Sequence, residues 1–119
     1  MPEFIDTHTH LFVQEFNDDR NATVERALSA GVRNLCLPCI DESSIEPIRE
    51  MCREYPGICH AMIGLHPTEV DENYRSVLER MYATLKKNRE FIAVGEVGLD
   101  FYWDDTRKRE QTDALMQQI

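Results

Sequence analysis

Four apolar runs, each followed by a helical stretch, recur at near-constant spacing along this chain, beginning near residues 4, 32, 58 and 91. A unit of about 30 residues is the length of one strand with its crossover helix. Strands that alternate with helices pair in parallel, because each helix carries the chain back to the start of the next strand. Two architectures satisfy this: an open four-stranded α/β domain, or an arc of a (β/α)8 barrel, whose eight units take roughly 250 residues. The 119 residues hold four units and read as one domain, 1–119. The final helical pattern is still in period at Leu115, Met116 and Ile119, with no stop signal. The expectation is therefore an α/β fold, the first half of a TIM barrel, with the polypeptide continuing beyond Ile119 to roughly 250 residues. A half-barrel leaves its outer strands with unpaired edges, so an isolated chain of this length is expected to self-associate or to pair with a second half.

The local signals give the units their boundaries. Strands are expected over 4–7, 32–37, 58–65 and 91–94. A polar loop, 15–21, precedes a short helix from about Thr23 to Ala30, which Gly31 ends. Ser43 or Ser44 is a candidate cap for the second helix, with Pro47 tolerated in its first turn. Ile45, Ile48, Met51, Cys52 and Tyr55 form its apolar stripe. Pro56 and Gly57 break the chain. Asp71 is a candidate cap for a long helix with Tyr74, Val77, Leu78, Met81, Tyr82 and Leu85 at a 3.6-residue period. Thr106 is a candidate cap for the last helix.

The chemistry-bearing residues fall at strand ends. His8 and His10 close the first run, and residues i and i+2 of a strand point the same way, so two imidazoles can converge on one metal ion. Cys39 ends the second run, His66 the third, and Glu96 follows the fourth. The active sites of parallel barrels lie at the C-terminal ends of their strands. Asp6 shares the His8 and His10 face and is a candidate partner for a ligand histidine. His60 begins the third strand, away from that end, and reads as structural. Gly95 and Gly98 flank Glu96 and allow close backbone approach.

Composition narrows the function. A formal charge of -9, from 22 acidic and 13 basic residues, argues against a protein that coats nucleic acid by charge alone. It leaves a nuclease open, because divalent cations offset acidic groups at a site. No apolar stretch approaches the ~20 residues of a membrane span, and the N-terminus lacks the pattern of a signal peptide. Cys36 and Cys39 have the spacing of a redox or zinc pair, yet Cys36 sits inside an apolar run and no second pair follows. The four cysteines read as reduced thiols of a cytoplasmic protein.

Three segments carry a resemblance. Ile5-Asp6-Thr7-His8-Thr9-His10-Leu11, Gly64-Leu65-His66-Pro67 and Gly95-Glu96-Val97-Gly98-Leu99-Asp100-Phe101-Tyr102 resemble, in order and separation, the N-terminal signatures of the TatD-like metal-dependent hydrolases. The aspartate-x-His-x-His motif is shared with the wider amidohydrolase superfamily; the Gly-Glu-x-Gly-Leu-Asp segment is more specific. Gln111 fits the glutamine usual in the following helix. The resemblance implies a metallo-dependent hydrolase barrel with two divalent ions (Mg, Mn or Zn) and phosphodiesterase activity on DNA, of the 3′→5′ exonuclease type. It implies that His8 and His10 hold one metal, that Glu96 bridges two, and that His66 helps place a phosphate. Two further histidines and an aspartate are expected beyond Ile119, so the 119 residues alone are expected to lack turnover. Tyr102 and Trp103 are candidates to stack on a base or to pack over the barrel rim. Thr68 departs from the second histidine that many relatives carry after the proline.

Two other functions stand beside this one. Another amidohydrolase-type enzyme would act on an amide, lactone or phosphotriester, though a carbamylated lysine bridges the metals in many of those, and here Glu96 holds the corresponding place. A non-catalytic α/β binding domain would keep the motifs as relics.

Overall fold

The structure, a computed structural model, describes residues 2–119. Four strands, β1 Phe4–Asp6, β2 Val32–Leu37, β3 Cys59–Ile63 and β4 Phe91–Val94, alternate with four helices, α1 Arg20–Ser29, α2 Ile45–Glu54, α3 Tyr74–Lys87 and α4 Lys108–Gln118. All neighbouring strands pair in parallel, in the sequential order β1-β2-β3-β4. This is the arc expected of the first half of a barrel.

The period-2 pattern decides which face the helices cover. On β2, Leu35 and Leu37 are buried, and on β3, Cys59, Ala61 and Ile63; the alternate residues Asn34, Cys36, His60 and Met62 are only half-buried. The buried set joins Val24 of α1, Ile48 and Met51 of α2, and Tyr74, Leu78 and Met81 of α3 in one core. Helix α2 shows the expected stripe, with Ile48 fully buried. Gly31 ends the first unit at φ +97°, where a side chain is strained, and a Cβ there would lie 2.7 Å from the Pro2 carbonyl oxygen.

Several boundaries differ from the sequence reading, each for a local reason. β1 stops at Asp6, not Thr7, because the Asp6 carboxylate accepts the His8 N–H at 3.1 Å and turns the chain. β3 is shorter at both ends than 58–65. The loop 15–21 contains a 3-10 turn, Gln14–Phe16, and α1 begins at Arg20 rather than Thr23. Ser44 holds the N-cap position of α2, as expected, but its side chain makes no cap bond to the helix. Asp41 instead caps a 3-10 turn, Glu42–Ser44, that runs into the helix, and accepts Ser44 N–H while Ser44 Oγ accepts Asp41 N–H. Asp71 accepts the Asn73 N–H at 2.8 Å, one turn ahead of α3. Thr106 donates to Asp104 and leaves the start of α4 to Lys108. On α3, Tyr82 is exposed, with Lys86 over its ring, although its spacing places it in the apolar stripe. It borders an apolar groove of about 490 Å³ with Leu78, Met81 and Leu85.

Candidate metal centre

The residues that follow the strands are laced together by their main chains. Thr9 N–H donates to Cys36 O, which carries the first histidine segment onto the end of β2. Cys39 N–H donates to Gly95 O, and Glu96 N–H donates to Cys39 O, both at 2.9 Å. The segment after β4 thus reaches the end of β2, although β3 lies between the two strands. Gly64, at the end of β3, makes the crossing possible. A Cβ on Gly64 would sit 2.9 Å from the Gly95 carbonyl carbon and 3.1 Å from its nitrogen and oxygen. Only a residue without a side chain lets the two backbones pass this closely.

The crossing delivers Glu96 to the histidines. Glu96 Oε2 lies 3.1 Å from His8 Nε2 and 3.4 Å from His10 Nε2, and Glu96 Oε1 lies 3.3 Å from His66 Nε2. The His8 and His10 rings meet edge to face, 5.0 Å between centroids. His10 Nε2 and Glu96 Oε2 are buried polar atoms without a hydrogen-bond partner, despite their proximity. Orphaned buried polar atoms of this kind call for an explanation, and a cation supplies one. Ligand atoms about 2.0–2.2 Å from a shared tetrahedral ion lie roughly 3.3–3.6 Å from each other, close to the separations here. One ligand atom each from His8, His10 and Glu96 lies within 4.8 Å of the others. Two imidazoles and a carboxylate suit zinc and manganese, and the exposed side of His8 leaves an approach for substrate. Burial holds the His10 imidazole below its ordinary pKa, against the Glu96 carboxylate, which raises it. That direction favours the neutral form that a ligand needs.

The other candidates divide. Asp6 meets His8 through the main-chain N–H, so it shapes the turn that carries the histidine instead of bonding the ring. Cys39 contributes backbone to the crossing; its thiol is buried and donates to Asp41 O at 3.1 Å. Burial pushes that thiol up to about 11, and it stands outside the converging group. His60 pairs with Asn34 of the neighbouring strand at 2.7 Å, a structural bond. Tyr102 and Trp103 do not pack over the rim. They are 85% and 75% exposed, their rings edge to face at 4.9 Å.

Positioning residues were less visible in the sequence. Arg20 donates to the carbonyls of Leu11, Phe12 and Val13 and to Asn17, fixing the segment just after His10. Gln111, fully buried, accepts Asp100 N–H and donates to Asp100 O and Asp104 O, clamping the turn that holds Tyr102 and Trp103. Gln118, seven residues on along the same helix, accepts Leu65 N–H at 2.7 Å beside His66. The signal was a pair of glutamines on the core-facing side of α4, spaced two helical turns apart, where apolar residues belong.

Comparison with known proteins agrees with this architecture. The pattern of the family described as TatD related DNase matches residues 5–119, and the chain belongs to that family. It is 31% identical over 117 residues to the uncharacterized metal-dependent hydrolase YjjV of Escherichia coli (strain K12), covering 98% of this chain and 45% of that protein. It is 28% identical over 114 residues to the 3′-5′ ssDNA/RNA exonuclease TatD of Yersinia pseudotuberculosis serotype O:3 (strain YPIII), covering 96% of this chain and 44% of that one. The crystal structure of YJJV, a TatD homolog from Escherichia coli K12, superposes with a TM-score of 0.85 at 31% identity, over 97% of this chain and 44% of that one. The four βα units are thus those of a TIM barrel, and the chain spans a little under half the length of these relatives. No helix among the described residues is long and apolar enough to cross a membrane.

Proposed function

We propose that this chain carries the first part of the active centre of a divalent-metal-dependent phosphodiester hydrolase acting on DNA, as a 3′→5′ exonuclease. The observation that supports it most is the convergence of His8, His10 and Glu96 on one point, with two of their buried atoms lacking any other partner. His8 and His10 would hold one metal, and Glu96, with one oxygen toward both histidines and the other toward His66, would span two. Bound divalent ions polarise a phosphate and make water a usable nucleophile near neutral pH. His66 would contact the phosphate, and Tyr102 and Trp103 would offer exposed rings to a terminal base. A carboxylate at Glu96, in place of a modified lysine, favours this reading over an amide, lactone or phosphotriester hydrolase.

The test has two readings. By calorimetry, the chain should take up Zn²⁺ or Mn²⁺, and replacing both His8 and His10 by alanine should abolish uptake. Joined to the C-terminal part of the Escherichia coli relative, it should digest single-stranded DNA from the 3′ end, and Glu96→Gln should stop it. Unchanged metal stoichiometry in the double variant would refute the ligand set. Digestion by the 119 residues alone would refute the expectation that they lack the remaining ligands.

A further inference from the structure

We propose that Thr68 holds His66 as the neutral Nε2–H tautomer, so that the nitrogen facing Glu96 is a hydrogen-bond donor to a phosphate oxygen and not a metal ligand; this rests on the phosphodiesterase reading above. His66 leads into the 3-10 turn Pro67–Glu69, and its own N–H donates to Ile40 O at 2.8 Å, which fixes the backbone under the ring. Nδ1 of that ring accepts the Thr68 N–H at 3.1 Å and lies 2.7 Å from Thr68 Oγ1. A backbone N–H can only donate, so Nδ1 presents its lone pair. The Thr68 hydroxyl must then donate as well, and the two donors share one acceptor. The proton of the neutral ring is left on Nε2, the nitrogen 3.3 Å from Glu96 Oε1.

A protonated Nε2 has no in-plane lone pair for a cation. The geometry agrees, since the ligand atoms that converge belong to His8, His10 and Glu96, with His66 outside the group. Glu96 is divided accordingly, Oε2 toward the two histidines and Oε1 toward the donor. An entering phosphate oxygen competes with Oε1 for the same N–H, and a charged acceptor makes that bond stronger than a neutral one would. Thr68 acts only through the ring of His66 and is a positioning residue.

The test is long-range ¹H–¹⁵N correlation spectroscopy of the metal-free 119-residue chain with labelled histidine rings, His66 being assigned from its loss in His66→Gln. Nδ1 of His66 should resonate as an unprotonated nitrogen and Nε2 as a protonated one. Titration with inorganic phosphate should move the Nε2 signal. In Thr68→Val the backbone N–H still reaches Nδ1, so the Nε2–H tautomer should persist, while loss of the hydroxyl's second bond frees the ring and phosphate affinity should fall by about threefold to tenfold, the range set by one hydrogen bond. Thr68→Ser, which keeps the hydroxyl, should restore the affinity. A protonated Nδ1 in the unsubstituted chain, an Nε2 that ignores phosphate, or a valine variant matching the parent in phosphate affinity would each overturn the proposal. These readings need neither metal nor turnover. Expected ring signals here, with no digestion of DNA by the chain joined to the C-terminal part of the Escherichia coli relative, would therefore uphold the tautomer and sink the nuclease reading alone.

Discussion

The central strands β2 and β3 and the flanking strands β1 and β4 are held by different forces. On β2 and β3 every second residue from Leu35 onward is buried beneath the helices. On β1 all three residues are exposed, and on β4 all but Phe91, with Phe4 at 51%, Ile5 at 61% and Ile92 at 57%. The flanks are kept in place by ladder hydrogen bonds to the centre and by the main-chain lacing beyond their ends. Yet the flanks supply the candidate metal centre, His8 and His10 from the loop after β1 and Glu96 from the loop after β4. A site built from the least packed strands depends on backbone precision at their ends, and anything bound there ties the two flanks together across the sheet.

The largest effect should separate centre from flank outright. Ile48 of α2, wholly buried in the core, becomes a cavity in Ile48→Ala, at a cost of about 2–5 kcal/mol. Ile92→Ala on exposed β4 should cost under about 1 kcal/mol. Chemical denaturation of both variants measures the difference, and equal losses would show that the flank is packed as tightly as the centre.

The next effect tests the crossing. In Gly64→Ala the new methyl meets the Gly95 main chain, which cannot swing aside. The expected result is a stability loss of about 1–3 kcal/mol together with a drop in metal affinity of roughly tenfold or more, about 1.4 kcal/mol. In Gly95→Ala the methyl meets only the Met62 Cε, at 2.5 Å, the far end of a flexible side chain. That variant should lose less of both. Calorimetric metal titration of the pair decides, and identical behaviour would remove Gly64 from the account of the site.

The arc of four βα units was legible because burial writes a period-2 pattern on strands and a 3.6 pattern on helices, and both were strong in β2, β3, α2 and α3. The cluster His8, His10, His66 and Glu96 was legible because each residue lies at or just past the end of a strand-like run. What stayed hidden was set by hydrogen bonds that no period reports. Asp6 pairs with a main-chain N–H rather than a ring, Asp41 caps a 3-10 turn ahead of Ser44 and supplies the side-chain cap bond that Ser44 does not make, and Tyr82 faces an open groove in spite of its spacing. Arg20 lies in a polar stretch that reads as a solvated loop, and only the fold shows its guanidinium collecting three carbonyls.

Metal binding should then bring the flanks closer to the stability of the centre. An ion at 100 times its Kd stabilises the folded chain by about 2.7 kcal/mol, an increase expected in the parent and absent when His8 and His10 are both alanine.

The smallest effect is one of reactivity. Cys39 and Cys59 are both buried, and burial pushes their thiols up to about 11 and about 12. At pH 8 roughly one Cys39 in a thousand is thiolate, so alkylation by iodoacetamide should be slow at both and rise with pH as the thiolate fraction rises. The two differ in what opens them. Cys59 lies on β3 in the middle of the sheet, whereas both backbone groups of Cys39 are bonded to the Gly95–Glu96 segment of the flank. A metal ion that holds Glu96 against the histidines should therefore slow Cys39 labelling and leave Cys59 labelling unchanged, as read by peptide mass spectrometry over time. Equal slowing at both cysteines would mean that the ion tightens the whole sheet, and that flank and centre open as one unit.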